Sequence, residues 1–230
     1  MIASALKPFG NDCIFFFNYN RVNMKLSYQV MSDSVNGFFE AARAGRIRAA
    51  IHSIRSPQER EQVILAAVDE ALKEVKAYPL EFGFRTREGG GTSHHLVYAT
   101  KFVRALNNMK RIYTKASSDK WDGVGSLDYD PRDADAPGLL FSPLDEVRQR
   151  LLQTFAGRTL TFDELILAES PCTTFTSTAY RNALLELELE EGRSVTMEPS
   201  AEHRRYQQGG ERRTLPGSTR IKFPDLKEGN

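Results

Sequence analysis

A run of turn-forming residues near the middle of the chain limits what its 230 residues can fold into. Serine, glycine and proline favour turns over the interiors of helices and strands. The run comprises Ser117, Ser118, Gly123, Gly125, Pro131, Pro137, Gly138 and Pro143. Because 40% of the chain is hydrophobic, the segments on both sides of this run can bury a core. We therefore predict a first region over residues 1–116, a linker over 117–141, a second domain over 142–225 and a tail over 226–230.

The pattern of residues 1–116 predicts an α/β fold. The apolar run Cys13–Phe17 is typical of a strand buried on both faces. Ser56-Pro57-Gln58-Glu59 has the residues of a capping box and predicts the start of a long helix. Leu80–Arg87 and His94–Thr100 lie on either side of a glycine turn, which predicts an antiparallel hairpin. Apolar stripes predict two further helices, one with Val35, Phe38, Phe39 and Ala42 ending at Gly45, and one with Phe102, Leu106, Met109 and Tyr113.

Residues 142–225 have the element order of a winged helix-turn-helix. Helix starts are predicted at Ser142-Pro143, at the capping box Thr161-Phe162-Asp163-Glu164, and at Thr176 or Ser177. Ser194–Met197 and Thr219–Phe223 are short strand candidates on either side of a polar, arginine-rich loop. Three helices followed by a two-stranded ribbon with a long loop predict a winged-helix domain.

Four polar residues, Asn18, Tyr19, Asn20 and Arg21, directly follow the predicted strand Cys13–Phe17. In open α/β sheets, ligands bind at the carboxyl ends of the strands. The two amides and the guanidinium can hold a planar amide, a base edge or a phosphate. We predict these four as candidate catalytic residues. The alternative is that the two asparagines only stabilise a tight turn.

Other motifs point to no metal or phosphate site. Gly89–Gly91 lacks the spacing and the lysine of a P-loop, so it predicts a hairpin turn. His94 and His95 face opposite sides of a strand and cannot bind one metal ion together. The aspartates between residues 128 and 135 lack the glycine and the terminal glutamate of an EF-hand, and we interpret them as solvated linker charge. We predict no metal ligand and no cofactor-binding residue.

Two stretches concentrate positive charge in a chain whose net charge is +1. Residues 101–120 carry six basic residues against one acidic residue, and residues 193–222 carry seven against three. Such clusters bind phosphate, but a solvated helix face has the same composition, and many winged helices contact proteins. The start of the third winged-helix helix suits phosphate contacts, whereas its acidic end would repel DNA. The predicted nucleic-acid-binding residues are Arg104, Lys110, Arg111, Thr178, Arg181, Arg204, Arg205, Arg212 and Arg213.

Three segments together resemble the C-terminal part of the three-Cys-motif partner proteins. They are Cys13–Asn23, Thr92–Lys101 with Met109-Lys110, and Phe175–Gly192 ahead of Arg212–Phe223. The resemblance extends over nearly the whole chain, and the order and spacing of the segments are what make it specific. It implies a Rossmann-like N-terminal sheet similar to that of class I methyltransferases. Cys13–Phe17 then corresponds to the fourth strand, and Asn18–Arg21 to the Asn/Asp-Pro-Pro-aromatic tetrad, although it contains no proline.

The resemblance also implies a partner, a radical-SAM-like three-Cys-motif protein, in a mobile-element or phage-defence setting. The glycine-rich turn that holds S-adenosylmethionine in methyltransferases has no counterpart before Cys13. We therefore expect the C-terminal half of a methyltransferase sheet followed by a winged helix, acting as a non-catalytic, truncated or split partner protein. The alternative is a methyltransferase-like enzyme whose cofactor half is missing from this chain, with S-adenosylmethionine bound only when that half is present.

Composition also limits where the chain is expected to work. No apolar stretch reaches the length of a membrane span, and the N-terminus lacks the apolar core of a signal peptide. Cys13 and Cys172 are too few for a disulfide framework or a thiolate zinc site. We expect a cytoplasmic protein that contacts DNA, RNA or its protein partner and no membrane.

Overall fold

The helices and strands of the molecule alternate along two separate units, so the fold is mixed α/β. A computed structural model describes residues 6, 12–27, 32–86, 91–118, 120–121, 124–132, 143–189, 195–205 and 214–225. The N-terminal unit combines residues 1–119 with 126–136, and the C-terminal unit combines 120–125 with 137–230. The helices are α1 (Tyr19–Ser27), α2 (Ser32–Phe39), α3 (Ala41–His52), α4 (Pro57–Glu74), α5 (Val103–Ala116), α6 (Pro143–Thr154), α7 (Phe162–Glu169) and α8 (Ser177–Leu189). The strands are β1 (Cys13–Phe17), β2 (Tyr78–Arg85), β3 (Thr92–Thr100), β4 (Lys120–Trp121), β5 (Val124–Gly125), β6 (Asp128–Tyr129), β7 (Thr159–Thr161), β8 (Thr196–Glu198) and β9 (Arg220–Lys222).

The N-terminal unit is built around a four-stranded mixed sheet with the order β1-β3-β2-β6. Strand β3 is antiparallel to both β1 and β2, and β6 is parallel to β2. The predicted antiparallel hairpin of β2 and β3 is confirmed. Strand β6 falls within residues 117–141, so part of the segment predicted as a linker belongs to this sheet.

Strand β1 forms where the sequence predicts it, but the prediction that both of its faces are buried was wrong. Among the described residues, β1 pairs with β3 alone and lies at the edge of the sheet. Ile14 and Phe16 are 57% and 65% exposed, whereas Phe17 is buried. Helices cover only the face that carries Cys13, Phe15 and Phe17, and burial therefore alternates along the strand.

Helices α1 to α4 pack on one face of the sheet, which we call the α4 face. Ser56 Oγ accepts a hydrogen bond from Glu59 N at 3.3 Å, and this cap confirms the predicted start of α4. The predicted helix stop at Gly45 was wrong. The chain instead breaks between α2 and α3 at Glu40, which has a φ of 70°, and Gly45 lies inside α3. The core of this face includes Leu26, Val35, Ile47, Ile64, Leu72 and Val97.

Helix α5 packs on the opposite face of the sheet, the α5 face. Phe102 of the predicted stripe lies before the helix and is 40% exposed, whereas Leu106 and Tyr113 are buried as predicted. They contact Phe82 and Tyr98, which lie on β2 and β3. The described packing of α5 is against these two strands, and the outer side of β1 remains exposed on this face.

The C-terminal unit follows the order α6, β7, α7, α8, β8 and β9. Three of its strands form an antiparallel sheet with the order β7-β9-β8, and β4 and β5, which precede α6 in this unit, pair antiparallel with each other. The capping box of Thr161 and Glu164 is confirmed, and Thr176 Oγ1 caps α8 by accepting from Ala179 N at 3.1 Å. The sequence pattern missed β7, because its three residues are too few to show an alternation. The core includes Val147, Leu151, Phe155, Tyr180, Leu184, Ile221 and Phe223.

Candidate functional site

The four residues predicted to be catalytic, Asn18 to Arg21, lie at the carboxyl end of β1, where α1 begins. Asn18 Oδ1 accepts a hydrogen bond from Arg21 N at 2.9 Å, and Asn18 O accepts from Val22 N at 3.1 Å. Asn18 therefore caps α1, a helix that the sequence pattern did not predict. The Arg21 side chain is exposed.

Tyr19 and Asn20 attach the first turn of α1 to other elements. Tyr19 is buried, and its hydroxyl donates to Pro57 O at 2.7 Å, at the start of α4. Asn20 Nδ2 donates to Thr92 O at 3.4 Å, at the start of β3. Burial, together with the charge of Glu61, raises the pKa of Tyr19. These contacts position the helix and place the first turn of α1 beside a group of buried polar residues.

The centre of that group is an ion pair that the sequence pattern did not reveal. His95 Nε2 lies 2.6 Å from Glu61 Oε1, and both side chains are about nine-tenths buried. Burial alone would raise the pKa of Glu61, but hydrogen bonds from His95 and Thr92 hold it below its ordinary value. Within the described residues, His95 Nδ1 is buried without a hydrogen-bond partner. Glu61 is on α4 and His95 on β3, so only the packed fold brings them together.

Arg85 extends this polar group toward β6. Its guanidinium donates to Thr92 Oγ1 at 3.2 Å and to Asp128 Oδ2 at 3.1 Å. Gly83 faces the same group, and a Cβ atom at this position would overlap Asp128 Oδ1 and contact the ring of His95. Asp128 was interpreted from the sequence as a solvated linker charge, but it is paired with Arg85.

Glu81 is the titratable group of this region with the most altered ionisation. It lies on β2, on the α4 face, opposite Val97 of β3. Burial raises the pKa of Glu81 to about 7, and the carboxylates of Asp69 and Glu61 add to this effect while His95 and Lys73 oppose it. The Glu81 carboxyl group is therefore partly protonated near neutral pH.

The polar group on the α4 face is a hydrogen-bonded network that links α4, β3, β2 and β6. Proton exchange between Glu61 and His95 is possible at 2.6 Å, but the pair is buried, so a substrate does not reach it in this conformation. In the part of the chain that the structure describes, no group of three or more His, Cys, Asp or Glu residues could hold a metal ion. No helix in that part is long and apolar enough to cross a membrane.

The basic residues of α5 fall into two classes. Arg104 and Arg111 are exposed on the outer side of the helix, whereas Lys110 is fully buried and cannot meet a phosphate in this arrangement. Asn108 and Lys115 are exposed on the same side, because positions 104, 108, 111 and 115 follow helical spacing. Helix α5 contains no acidic residue. The outward stripe of Arg104, Asn108, Arg111 and Lys115 is called the basic stripe below.

The two residues predicted to bind nucleic acid at the start of α8 are partly covered by other residues of the C-terminal unit. Thr178 and Arg181 are half-buried. Arg181 Nε donates to Leu215 O at 3.4 Å, and its guanidinium lies 5.1 Å from the centre of the Phe162 ring. Arg181 thus connects α8 to α7 and to the segment before β9.

Arg204 and Arg205, which lie within the arginine-rich loop, differ in exposure. Arg204 is 3% exposed and forms an ion pair with Glu188 of α8, so it is a structural residue in this arrangement. Arg205 is exposed. The predicted contacts Arg212 and Arg213 lie outside the described residues. The ion pair explains why acidic residues near the end of α8 are tolerated.

Comparisons of the chain with family models, with curated proteins and with solved structures find no match. The resemblance to three-Cys-motif partner proteins therefore stays a hypothesis, carried by the three segments that suggest it.

Proposed function

We propose that this protein binds nucleic acid without catalysing a reaction, through the basic stripe of α5 and through the C-terminal unit. The observation that carries the proposal is the stripe itself. Arg104 and Arg111 are exposed, make no ion pair within the described ranges, and lie on a helix without acidic residues. Guanidinium groups presented in this way suit phosphate oxygens, and releasing counterions from the nucleic acid supplies the binding free energy.

We further propose that the C-terminal unit is a winged helix-turn-helix. Its order of elements and the sheet order β7-β9-β8 support this proposal. Arg205, Arg220 and Lys222 are exposed there. Ion pairs with Arg148 and Arg204 partly neutralise Glu186 and Glu188, which reduces the repulsion that the acidic end of α8 would exert on DNA.

The resemblance to three-Cys-motif partner proteins suggests the setting in which this binding would be used. In that proposal the chain acts beside a radical-SAM-like three-Cys-motif protein in mobile-element or phage defence. The winged helix would then contact nucleic acid, the protein partner, or both.

A methyltransferase-like activity is the second candidate. It is favoured by the position of Tyr19 and Asn20, which lie at the carboxyl end of β1 beside Thr92. Isothermal titration with S-adenosylmethionine tests it for this chain. Tight binding would support the enzyme, and the absence of heat at millimolar ligand would rule out cofactor binding by this chain alone.

Fluorescence anisotropy with labelled single-stranded and duplex DNA at low salt tests the main proposal. The double variant Arg104→Ala/Arg111→Ala should weaken binding and lower the slope of log affinity against log salt by about two, because two phosphates are no longer neutralised by the protein. The control Arg46→Ala/Arg55→Ala removes the same charge from exposed positions on other parts of the N-terminal unit. If both double variants weaken binding equally, only net charge matters and the stripe is not a site.

A further inference from the structure

Four aromatic rings form a continuous row across the α5 face of the N-terminal sheet. They are contributed by the four strands in their spatial order, namely Phe16 of β1, His94 of β3, Phe84 of β2 and Tyr129 of β6. Successive ring centres are 4.7, 4.4 and 6.1 Å apart. The strand register accounts for the row, because Phe84 lies directly opposite both His94 and Tyr129. We call these four residues the aromatic row.

The rings of this row contact one another, with the two end rings, Phe16 and Tyr129, tilted by 32° and 49° to their neighbours. His94 and Phe84 are nearly parallel, with an interplanar angle of 15°. Burial, and then the neighbouring His95, lower the pKa of His94, so its ring is neutral at pH 7. The terminal rings are the exposed ones, with Phe16 at 65% and Tyr129 at 46% exposure. A further planar ring can therefore extend the stack at either end.

The basic stripe ends beside the Tyr129 end of the row. Just after α5, Ser118 N donates to Asp128 O at 3.0 Å, and Ser118 Oγ donates to Asp130 O at 2.9 Å. These bonds hold the end of α5 against the residues on both sides of Tyr129. Lys115 lies in the last turn of that helix, so one exposed cation comes from the end of α5 that these bonds attach beside Tyr129.

We infer that the aromatic row is a stacking site for the bases of single-stranded nucleic acid, with Phe16 and Tyr129 as the contacting rings. The inference rests on the proposed function and adds the form of nucleic acid that the N-terminal unit prefers. A single strand alternates planar bases with phosphates, which matches rings beside cations. In a duplex the bases already stack on each other, and only the sugar–phosphate backbone would meet the stripe. Ile14 adds exposed apolar area beside Phe16, but the remainder of the row consists of planar rings, which suit a strand of bases better than an apolar protein partner.

The test uses the full chain and two DNA oligomers of equal length. One contains 2-aminopurine, a fluorescent base whose emission falls when it stacks, and the other carries abasic sugars throughout. We expect the wild-type chain to bind the base-bearing oligomer at least tenfold more tightly and to quench 2-aminopurine. Phe16→Ala and Tyr129→Ala should each weaken affinity for that oligomer by about tenfold and leave abasic binding unchanged.

Two variants serve as controls for these effects. Ile14→Ala removes an exposed side chain from the same face of β1 without touching the row, and Tyr129→Phe keeps the ring. Both should bind the base-bearing oligomer as the wild type does. Circular dichroism of each variant shows whether it is folded. If Phe16→Ala fails to fold, the difference in affinity between Tyr129→Phe and Tyr129→Ala still tests stacking.

The outcomes separate the inference from the proposed function. Equal affinity for the two oligomers, or unchanged affinity in Phe16→Ala and Tyr129→Ala, would overturn stacking while leaving phosphate binding by the stripe intact. If neither oligomer binds at low salt, the proposed function fails and the inference fails with it. Sedimentation checks a third possibility. If the wild type is a dimer that Phe16→Ala dissociates, the row is an interface between copies of the chain and stacking is overturned.

Discussion

His94 and His95 are neighbours on β3, yet their side chains lie on opposite faces of the N-terminal sheet. On the α4 face, His95 is buried and pairs with Glu61 at 2.6 Å. On the α5 face, His94 stacks between Phe84 and Phe16, and the row to which it belongs is open to solvent at its ends. One face uses its polar groups to hold the fold together, and the other presents groups that remain able to bind a ligand.

The contrast between the two faces separates residues that hold the fold together from residues that solvent reaches. Titratable groups with shifted pKa values, such as Glu61 and Glu81, would often be taken to mark an active site. Both lie on the helix-covered α4 face, where Glu61 pairs with His95 and burial raises the pKa of Glu81, so we assign them to stability. Solvent reaches the exposed rings and the basic stripe.

Replacing Glu61 with alanine should cost the most stability. The substitution leaves His95 buried without its carboxylate, and removing one partner of a buried pair costs about 3–5 kcal/mol. Urea unfolding followed by circular dichroism gives the free energy of unfolding. Glu70→Ala is the matched control on the same helix, because Glu70 pairs with Arg46 at the surface and such pairs contribute about 0–1 kcal/mol. A decrease below about 1 kcal/mol for Glu61→Ala would show that the pair is not structural.

Replacing Glu81 with glutamine should make the protein more stable at alkaline pH. In the folded state the pKa of Glu81 is about 7, above the ordinary value of 4.5, so the folded state keeps its proton to higher pH than the unfolded chain. The wild type therefore loses stability as the pH rises from about 4.5 to about 7. Each unit of pKa difference corresponds to about 1.4 kcal/mol, so the variant should gain up to about 3 kcal/mol at pH 8.

The pH dependence of that gain is the decisive measurement for Glu81→Gln. Urea unfolding gives the free energy of unfolding at each pH. At pH 5 the values for wild type and variant should be nearly equal, and at pH 8 the variant should be the more stable. Glu70→Gln is the control, since Glu70 is exposed. A constant difference at both pH values would mean that Glu81 acts through packing rather than through its proton.

Replacing Gly83 with alanine should cost about 1–3 kcal/mol, the usual range for an overpacked site. The added Cβ would overlap Asp128 Oδ1, and the carboxylate can move away only by weakening its ion pair with Arg85. Gly45→Ala is the control, because nothing lies within 4 Å of its added Cβ and it sits inside α3. That control should stabilise the chain by about 0.5–1 kcal/mol. The midpoint temperature of thermal unfolding should therefore fall for Gly83→Ala and rise for Gly45→Ala.

The sequence predicted those helices and strands that a few neighbouring residues determine. The cap at Ser56 and the hairpin of β2 and β3 are examples, since each depends on a short run of sequence. Helix α1 was missed because the residues from Asn18 to Asn20 favour turns as much as helix starts. The buried pair could not be predicted, because Glu61 and His95 are 34 positions apart and meet only after α4 packs on the sheet.

The candidate sites were harder to predict from the sequence than the helices and strands, because they depend on how the elements pack. Basic residues on α5 were identified from composition, but composition does not distinguish Lys110, which faces the interior, from Arg111, which faces solvent. The aromatic row needed the strand order β1-β3-β2-β6 as well as the register, since Tyr129 comes from a segment that was predicted to be a linker.

Replacing Phe16 with alanine should have the smallest effect on stability of the variants considered. Its ring is 65% exposed, so its truncation removes little buried area, and its contact with His94 is a cross-strand pair worth about 0.2–1 kcal/mol. Phe82→Ala, on the same face but buried under α5, should cost about 3–5 kcal/mol in the same urea unfolding experiment. A decrease of several kcal/mol for Phe16→Ala would mean that the ring is covered in solution. Because a ring that contributes little to folding is free to contribute to binding, a small decrease in stability combined with a large decrease in affinity for base-bearing DNA is the result that would assign Phe16 to a ligand.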